Sequence, residues 1–254
     1  MTLLYDTESL FKRALTKVVR NPSVLFAMLL QPLLFLLLFS QLLQKLTSLP
    51  GLSGSYINYL TPGILVMTAI LGSFQPGMSI VNDLNSGFLQ KLLLTPVNRA
   101  AVLLGRLMTD MLVLIIQSAI IIAVAIPLGL SIATGLPGLV LILATLVFFG
   151  MAWAGLLLAV GIKTRKAETL SAIGNLLALP IIFVSSALFP TRIMPQWAQT
   201  VSDYNPVSYA SNVARDLIQG GLTWSTFISA YSVIGIMAIV TFAATLYQFR
   251  KVIS

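Results

Sequence analysis

The chain has 254 residues, of which 57% are apolar and only 9% charged; its net charge is +8, and it has neither cysteine nor histidine. A soluble domain carries about 25% charged residues, so a soluble fold is excluded. Disulfides, thiolate metal sites and histidine-based proton shuttling are excluded as well. So much of the chain is apolar that it reads as one membrane domain with no separate soluble one.

Residues 1–22 form the first element. Leu10, Phe11, Ala14, Leu15, Val18 and Val19 recur at helical spacing, and Lys12, Arg13, Thr16, Lys17 and Arg20 take the opposite side. Glu8 and Lys12 form an i,i+4 pair. This predicts an amphipathic helix lying on lipid headgroups, with a sharper reading as a docking element for a cytoplasmic partner. Asn21-Pro22 ends it, because proline disfavours helical geometry in the residue before it.

Six apolar stretches follow within residues 23–254: Val24–Leu43, Tyr59–Val81, Met108–Leu128, Gly138–Gly161, Leu170–Phe189 and Phe227–Phe249. Each has the length of about twenty residues that an α-helix needs to cross ~30 Å of hydrocarbon. Helices satisfy their backbone hydrogen bonds within the segment, so lipid selects them. The predicted fold is an all-α integral membrane protein with six transmembrane helices. The first stretch is too long for a signal-peptide core and is expected to remain as an anchor.

Basic residues orient these helices. Lys12, Arg13, Lys17, Arg20, Lys91, Arg99, Arg106, Lys163, Arg165, Lys166, Arg250 and Lys251 all fall on one side if six helices cross, leaving Lys45, Arg192 and Arg215 on the other. By the positive-inside rule both termini are cytoplasmic. The charge therefore reads as topology and contact with anionic lipid; dispersed basic residues without an aromatic-rich strand do not indicate nucleic acid.

Two connections carry more than topology. The cytoplasmic segment 83–99 is predicted to hold a short helix capped by Asp83, with Phe88, Leu89, Leu92 and Leu93 on one face and Pro96 at its end. The segment 190–222 on the opposite, extracellular side is broken by Pro190, Pro195, Pro206, Gly220 and Gly221. Two short helices are predicted there, about Pro195–Ser202 and Pro206–Gln219, neither long enough to span a bilayer. Trp197, Tyr204, Tyr209 and Trp224 suit the membrane interface. Such a segment is tolerated at membrane depth only where it packs on protein or lines a wet cavity.

The chain holds no phosphate-binding loop. Gly161-Ile162-Lys163-Thr164 is the nearest approach, but an isoleucine intrudes and a membrane helix precedes it. No carboxylate pair, Ser/His arrangement or metal cluster is visible. Asp110 stands one turn from Arg106, a pairing that reads as mutual neutralisation in preference to a proton relay. Without an ion-coupling site, an external ATPase is the simpler energy source; the alternative is an autonomous channel or secondary carrier. Within the helices, Thr68, Ser73, Gln75, Asn175, Ser185 and Ser186 are polar, and Pro76-Gly77 and Pro180 are breakers. Such groups either bond neighbouring helices or line a route.

The run Gly87-Phe88-Leu89-Gln90-Lys91-Leu92-Leu93-Leu94-Thr95-Pro96-Val97-Asn98-Arg99, followed by Gly105-Arg106, resembles the signature of ABC-2 type permeases, especially the daunorubicin-resistance-like exporters. Arg20-Asn21-Pro22 before Gln31-Pro32, Phe189-Pro190 before Pro195 and Trp197, and Asn205-Pro206 before Tyr209 and Arg215 extend the resemblance over essentially the whole chain. The chain departs from the pattern at Asn85, where the family often carries an acidic residue.

The resemblance implies the transmembrane subunit of an ATP-driven exporter of the type V fold in a bacterial plasma membrane. It implies pairing with a second permease copy or close homologue and with two ABC ATPase subunits. The chain itself would bind no cofactor; ATP and Mg would be used by the ATPase partners. Coupling residues would be Phe11, Lys12, Asp83, Gly87, Phe88, Gln90, Leu92 and Pro96. A route for a drug-like, lipid or lipid-linked substrate would involve Met67, Phe74, Gln75, Asn175, Leu179 and Phe183.

Overall fold

The computed structural model describes residues 8–9, 11–13, 15–16, 20, 22–42, 56–87 and 99–253. The described residues form helices and contain no strand. The helices are α1 (Pro22–Leu42), α2 (Tyr56–Gly72), α3 (Phe74–Asn85), α4 (Arg99–Ala125), α5 (Gly135–Thr164), α6 (Ala167–Phe183), α7 (Gln196–Asp203), α8 (Pro206–Gln219) and α9 (Trp224–Ile253), with a 3-10 turn at Thr191–Ile193. Four helical segments are long and apolar enough to cross a membrane: Tyr56–Asn85, Leu107–Ala125, Gly135–Thr164 and Trp224–Gln248. Phe26–Leu42 and Ala167–Phe183 are apolar but shorter.

Lipid as solvent explains the distribution of side chains. Phe26, Leu30, Leu34 and Leu38 on α1 and Ile228, Ile236, Ile239 and Val240 on α9 are exposed. α5 is the hub, touching α2, α3, α4, α6, α8 and α9, with α9 packed along its length. Its Ile142, Leu146, Phe149, Trp153 and Leu157 are fully or almost fully buried. Hydroxyls inside the bundle turn back on their own helices: Thr61 donates to Ile57 O (2.7 Å), Thr68 to Ile64 O (2.8 Å) and Thr145 to Leu141 O (2.8 Å). Each polar group is thereby satisfied without a partner in lipid.

α2 and α3 are one apolar rod with a break at Ser73. Pro76 has no N–H to give to the preceding turn. The Ser73 hydroxyl fills the kink, donating to Ala69 O at 2.6 Å and reaching Gly150 O at 3.0 Å on α5. Below the break, helices approach closely: a Cβ on Gly161 would sit 3.1 Å from Gly77 O. The rod continues past Val81 to Asn85, so Asp83 lies in its last turn; the helix it is expected to cap lies outside the described residues.

The fifth apolar stretch is not a continuous helix to Phe189. α6 ends at Phe183, and Val184–Pro190 runs without helical assignment. Pro180 removes one N–H from the last turns. Ser185 then bonds Ile182 O (2.6 Å) and accepts from Ala187 N (3.2 Å), holding the chain in a turn. Apolarity alone could not reveal this end, because the freed backbone is satisfied by residues far along the chain.

Both short helices predicted between Pro190 and Leu222 are present. In α8, Asn205 caps the N-terminus by accepting from Val207 N (3.0 Å), Pro206 takes the first turn, and Gly220 closes the helix at φ +77°. α8 packs against α2, α5 and α9. Val207, Ala210, Val213, Ala214, Leu217 and Ile218 are buried, which meets the requirement that such a segment pack on protein.

Candidate functional site

Three regions can act. At one end of the bundle lie Asn85, Arg165 and Phe11. Asn85 Nδ2 donates to Arg165 O at 3.3 Å, and Gly87 turns the chain with φ +69°. Thr109 on α4 donates to Gly105 O (3.0 Å) and reaches Phe11 O (3.5 Å), which ties the N-terminal segment to α4. Phe11 is half-buried there, while Lys12 is exposed and paired with Glu8 at 2.6 Å. That ammonium holds the Glu8 carboxyl below its ordinary range, first through the hydrogen bond and then through charge. Phe88, Gln90, Leu92 and Pro96 lie outside the described residues, as does the helix predicted around them.

The second region contains the residues predicted for a route. Met67 is buried in α2. Phe74 and Gln75, adjacent in sequence, point to different sides of α3. Phe74 lies against Gly174 on α6, where any Cβ would collide with its ring. The Gln75 amide contacts Met28 sulfur at 3.7 Å, and Gln117 reaches the same sulfur at 3.7 Å. Gln117 Oε1 is buried with no partner among the described residues. Asn175, Leu179 and Phe183 form an exposed i, i+4, i+8 stripe along α6. Phe74 thus backs the helix whose outer stripe holds three of the other candidates, while Gln75 belongs to a separate polar contact with α1 and α4.

The third region lies at the opposite end, where Asn58 exchanges hydrogen bonds with Ser131 (3.1 and 3.2 Å) and Thr134 donates to Leu217 O (2.6 Å). Here side chains of α2 and α8 satisfy the non-helical 184–190 segment. Asn205 Nδ2 donates to Ile181 O (2.7 Å) and Val184 O (2.9 Å). Ser186 N donates to Ser208 Oγ (3.1 Å). Ser186 O receives Tyr59 OH (2.8 Å) and Arg215 NH2 (2.7 Å), and Leu188 O receives Tyr56 OH (3.2 Å).

Arg215 is the centre of this network and only 8% exposed. It donates to Asn212 Oδ1 (2.7 Å) and Tyr59 O (3.4 Å), and its guanidinium carbon lies 3.8 Å over the Tyr59 ring. Burial pushes its pKa down, with Tyr59 opposing. Burial pushes neighbouring Asp216 up, with Arg215 opposing. Beside Arg215 opens a cavity of about 520 Å³ lined by serines, Thr191, Arg192, Asp203, Tyr209 and Asn212. In the sequence Arg215 stands out as one of few basic residues on this side and as part of the family resemblance; its burial has little local signal, because apart from Asn212 its partners lie 29 and 156 residues away.

A sequence model described as ABC-2 type transporter matches residues 5–219. The chain belongs to this family. It is 34% identical over 214 residues to the transport permease ycf38 of Cyanophora paradoxa, covering 82% of this chain and 72% of the relative. It is 26% identical over 208 residues to the daunorubicin resistance ABC transporter permease protein DrrB1 of Streptomyces coeruleorubidus, covering 82% and 73%. With the doxorubicin resistance permease protein DrrC of Mycobacterium tuberculosis it shares 25% identity over 216 residues, covering 85% and 78%. This ABC-2 chain is accordingly a membrane permease subunit of an ABC transporter, a family role that implies ATPase partner subunits.

Proposed function

We propose that this permease is the transmembrane half of an ATP-driven exporter for a hydrophobic or amphipathic substrate, working as a pair of permease chains with two ATPase subunits. The family match across residues 5–219 carries the reading. The drug-resistance names of two relatives support export of a greasy substrate. The N-terminal segment and residues 83–99 would receive the ATPases at the Asn85–Arg165 end. The deciding experiment is purification with the neighbouring ATPase in lipid and measurement of which compounds stimulate hydrolysis. A stable complex whose hydrolysis responds to no hydrophobic compound and drives no transport would overturn the proposal.

The full topology in this reading is six crossings with both termini in the cytoplasm. The chain has no cysteine, so single cysteines can be placed at Ser9, Ser53, Ser86, Ser131, Thr164 and Thr200. An impermeant thiol reagent applied outside should label positions 53, 131 and 200 only. Outside labelling of position 86 would refute this arrangement.

The route is expected along the α3–α6 side, completed by the second permease copy. Pocket contacts contribute ~1–3 kcal/mol, roughly 10- to 200-fold in discrimination. Asn175→Leu should therefore change transport of some compounds in a panel and spare others, with basal hydrolysis retained; the same outcome for Gln75→Leu would extend the route to the contact with α1 and α4. Asn175 is exposed, so its substitution tests the stripe without disturbing the core. A uniform effect across the panel, or none, would remove these residues from the route.

A further inference from the structure

The cavity beside Arg215 is built unlike the rest of the bundle. Its guanidinium is more than nine-tenths buried, its Nε has no hydrogen-bond partner, and no carboxylate lies within ion-pair distance of it among the described residues. Asp216, the next residue, acts on Arg215 through charge without forming an ion pair with it. A buried cation without an ion-pair partner is strongly disfavoured, which carbonyls, an aromatic face and that more distant charge offset only in part. The cavity wall adds Arg192 and one carboxylate, Asp203, so cations outnumber anions.

Unspent hydrogen-bond donors face the same space. Ser202 and Ser208 hydroxyls pair at 2.9 Å, and Ser208 also accepts Ser186 N–H. One proton of that pair has no acceptor among the described residues. Thr191 and Tyr209 line the cavity too. Outside it, the apolar side chains of Trp197 and Val201 on α7 are 65% and 50% exposed, beside Tyr204 at 80%. Positive charge and hydroxyl donors inside, with exposed aromatic and aliphatic groups on α7, the helix that also supplies Ser202 and Asp203 to the lining, suit a ligand with an anionic head and an apolar tail.

We propose that this cavity binds the phosphate group of an anionic amphiphile, with the head towards Arg215, Arg192 and the serine pair and the tail along α7. The site goes beyond the transport reading and requires no ATPase, so the two stand or fall separately. Asn212→Asp is the decisive variant: it keeps the acceptor oxygen already bonded to Arg215 and Ser186 but installs an internal counterion.

The test is a thermal-unfolding titration of the full chain in an uncharged maltoside detergent. Phosphatidylglycerol should raise the midpoint saturably, and diacylglycerol of the same chains should not. Asn212→Asp should unfold no earlier than the parent without lipid and bind phosphatidylglycerol about tenfold or more weakly. Arg192→Glu, at an exposed site, gives a second reading should Asn212→Asp not fold, and should also weaken binding. A saturable response to inorganic phosphate alone, lost in Asn212→Asp, would support the anion site and identify its source as free phosphate. Equal responses to phosphatidylglycerol and diacylglycerol, or binding unchanged in both variants, would overturn the proposal.

Discussion

Replacement of Asn205 by leucine should destabilise the permease by about 3–9 kcal/mol, although leucine nearly matches its size. The side chain is 5% exposed and makes three backbone hydrogen bonds at once: to Ile181 O, to Val184 O and from Val207 N. Each orphaned buried group costs about 1–3 kcal/mol. The loss should lower the unfolding midpoint of the detergent-purified chain by about 10 °C or more. Asn205→Ser separates the contributions, since a serine hydroxyl can still cap α8 but cannot reach both Ile181 O, on α6, and Val184 O, just past its end; an intermediate midpoint is expected. A leucine variant as stable as the parent would mean that the end of α6 finds its partners elsewhere.

That site also marks where the sequence stopped being readable. Apolar length and breaker residues pointed to the apolar helices, four of them long enough to cross a membrane, and to the two short helices from Gln196 to Gln219, because both signals are local. The boundary of α6 is not local. Val184–Phe189 is mostly apolar, and it leaves the helix because Asn205, Ser208, Tyr59 and Arg215 meet its freed backbone from other elements. The same limit applied to helix rotation. Pro76-Gly77 announced the kink of the α2–α3 rod, but nothing in the sequence told that Phe74 would lean on Gly174 while Gln75 turned to Met28. Residue type chose these candidates; packing decided which neighbours they met.

Leu92→Asp is expected to uncouple the transporter on the proposed docking role of residues 83–99. α3 ends at Asn85 beside Arg165, Gly87 follows with positive φ, and α4 begins at Arg99. The two ends of the connection therefore lie at the end of the bundle where both termini are proposed to lie. Its sequence places Phe88, Leu89, Leu92 and Leu93 on one face. If that face is buried against an ATPase, an unpaired carboxylate there costs about 3–5 kcal/mol, at least roughly a hundredfold in association. Leu92→Asp should lose pull-down of the ATPase and substrate-stimulated hydrolysis while the permease still inserts and pairs. Ser23→Asp carries the same charge at an exposed position in the first turn of α1, outside residues 83–99, and should couple normally. Leu92→Met keeps the apolar volume and should also couple. Loss in both aspartate variants would indicate a general effect of negative charge at this end, and retention in both would reject residues 83–99 as the apolar handle through which hydrolysis moves the permease.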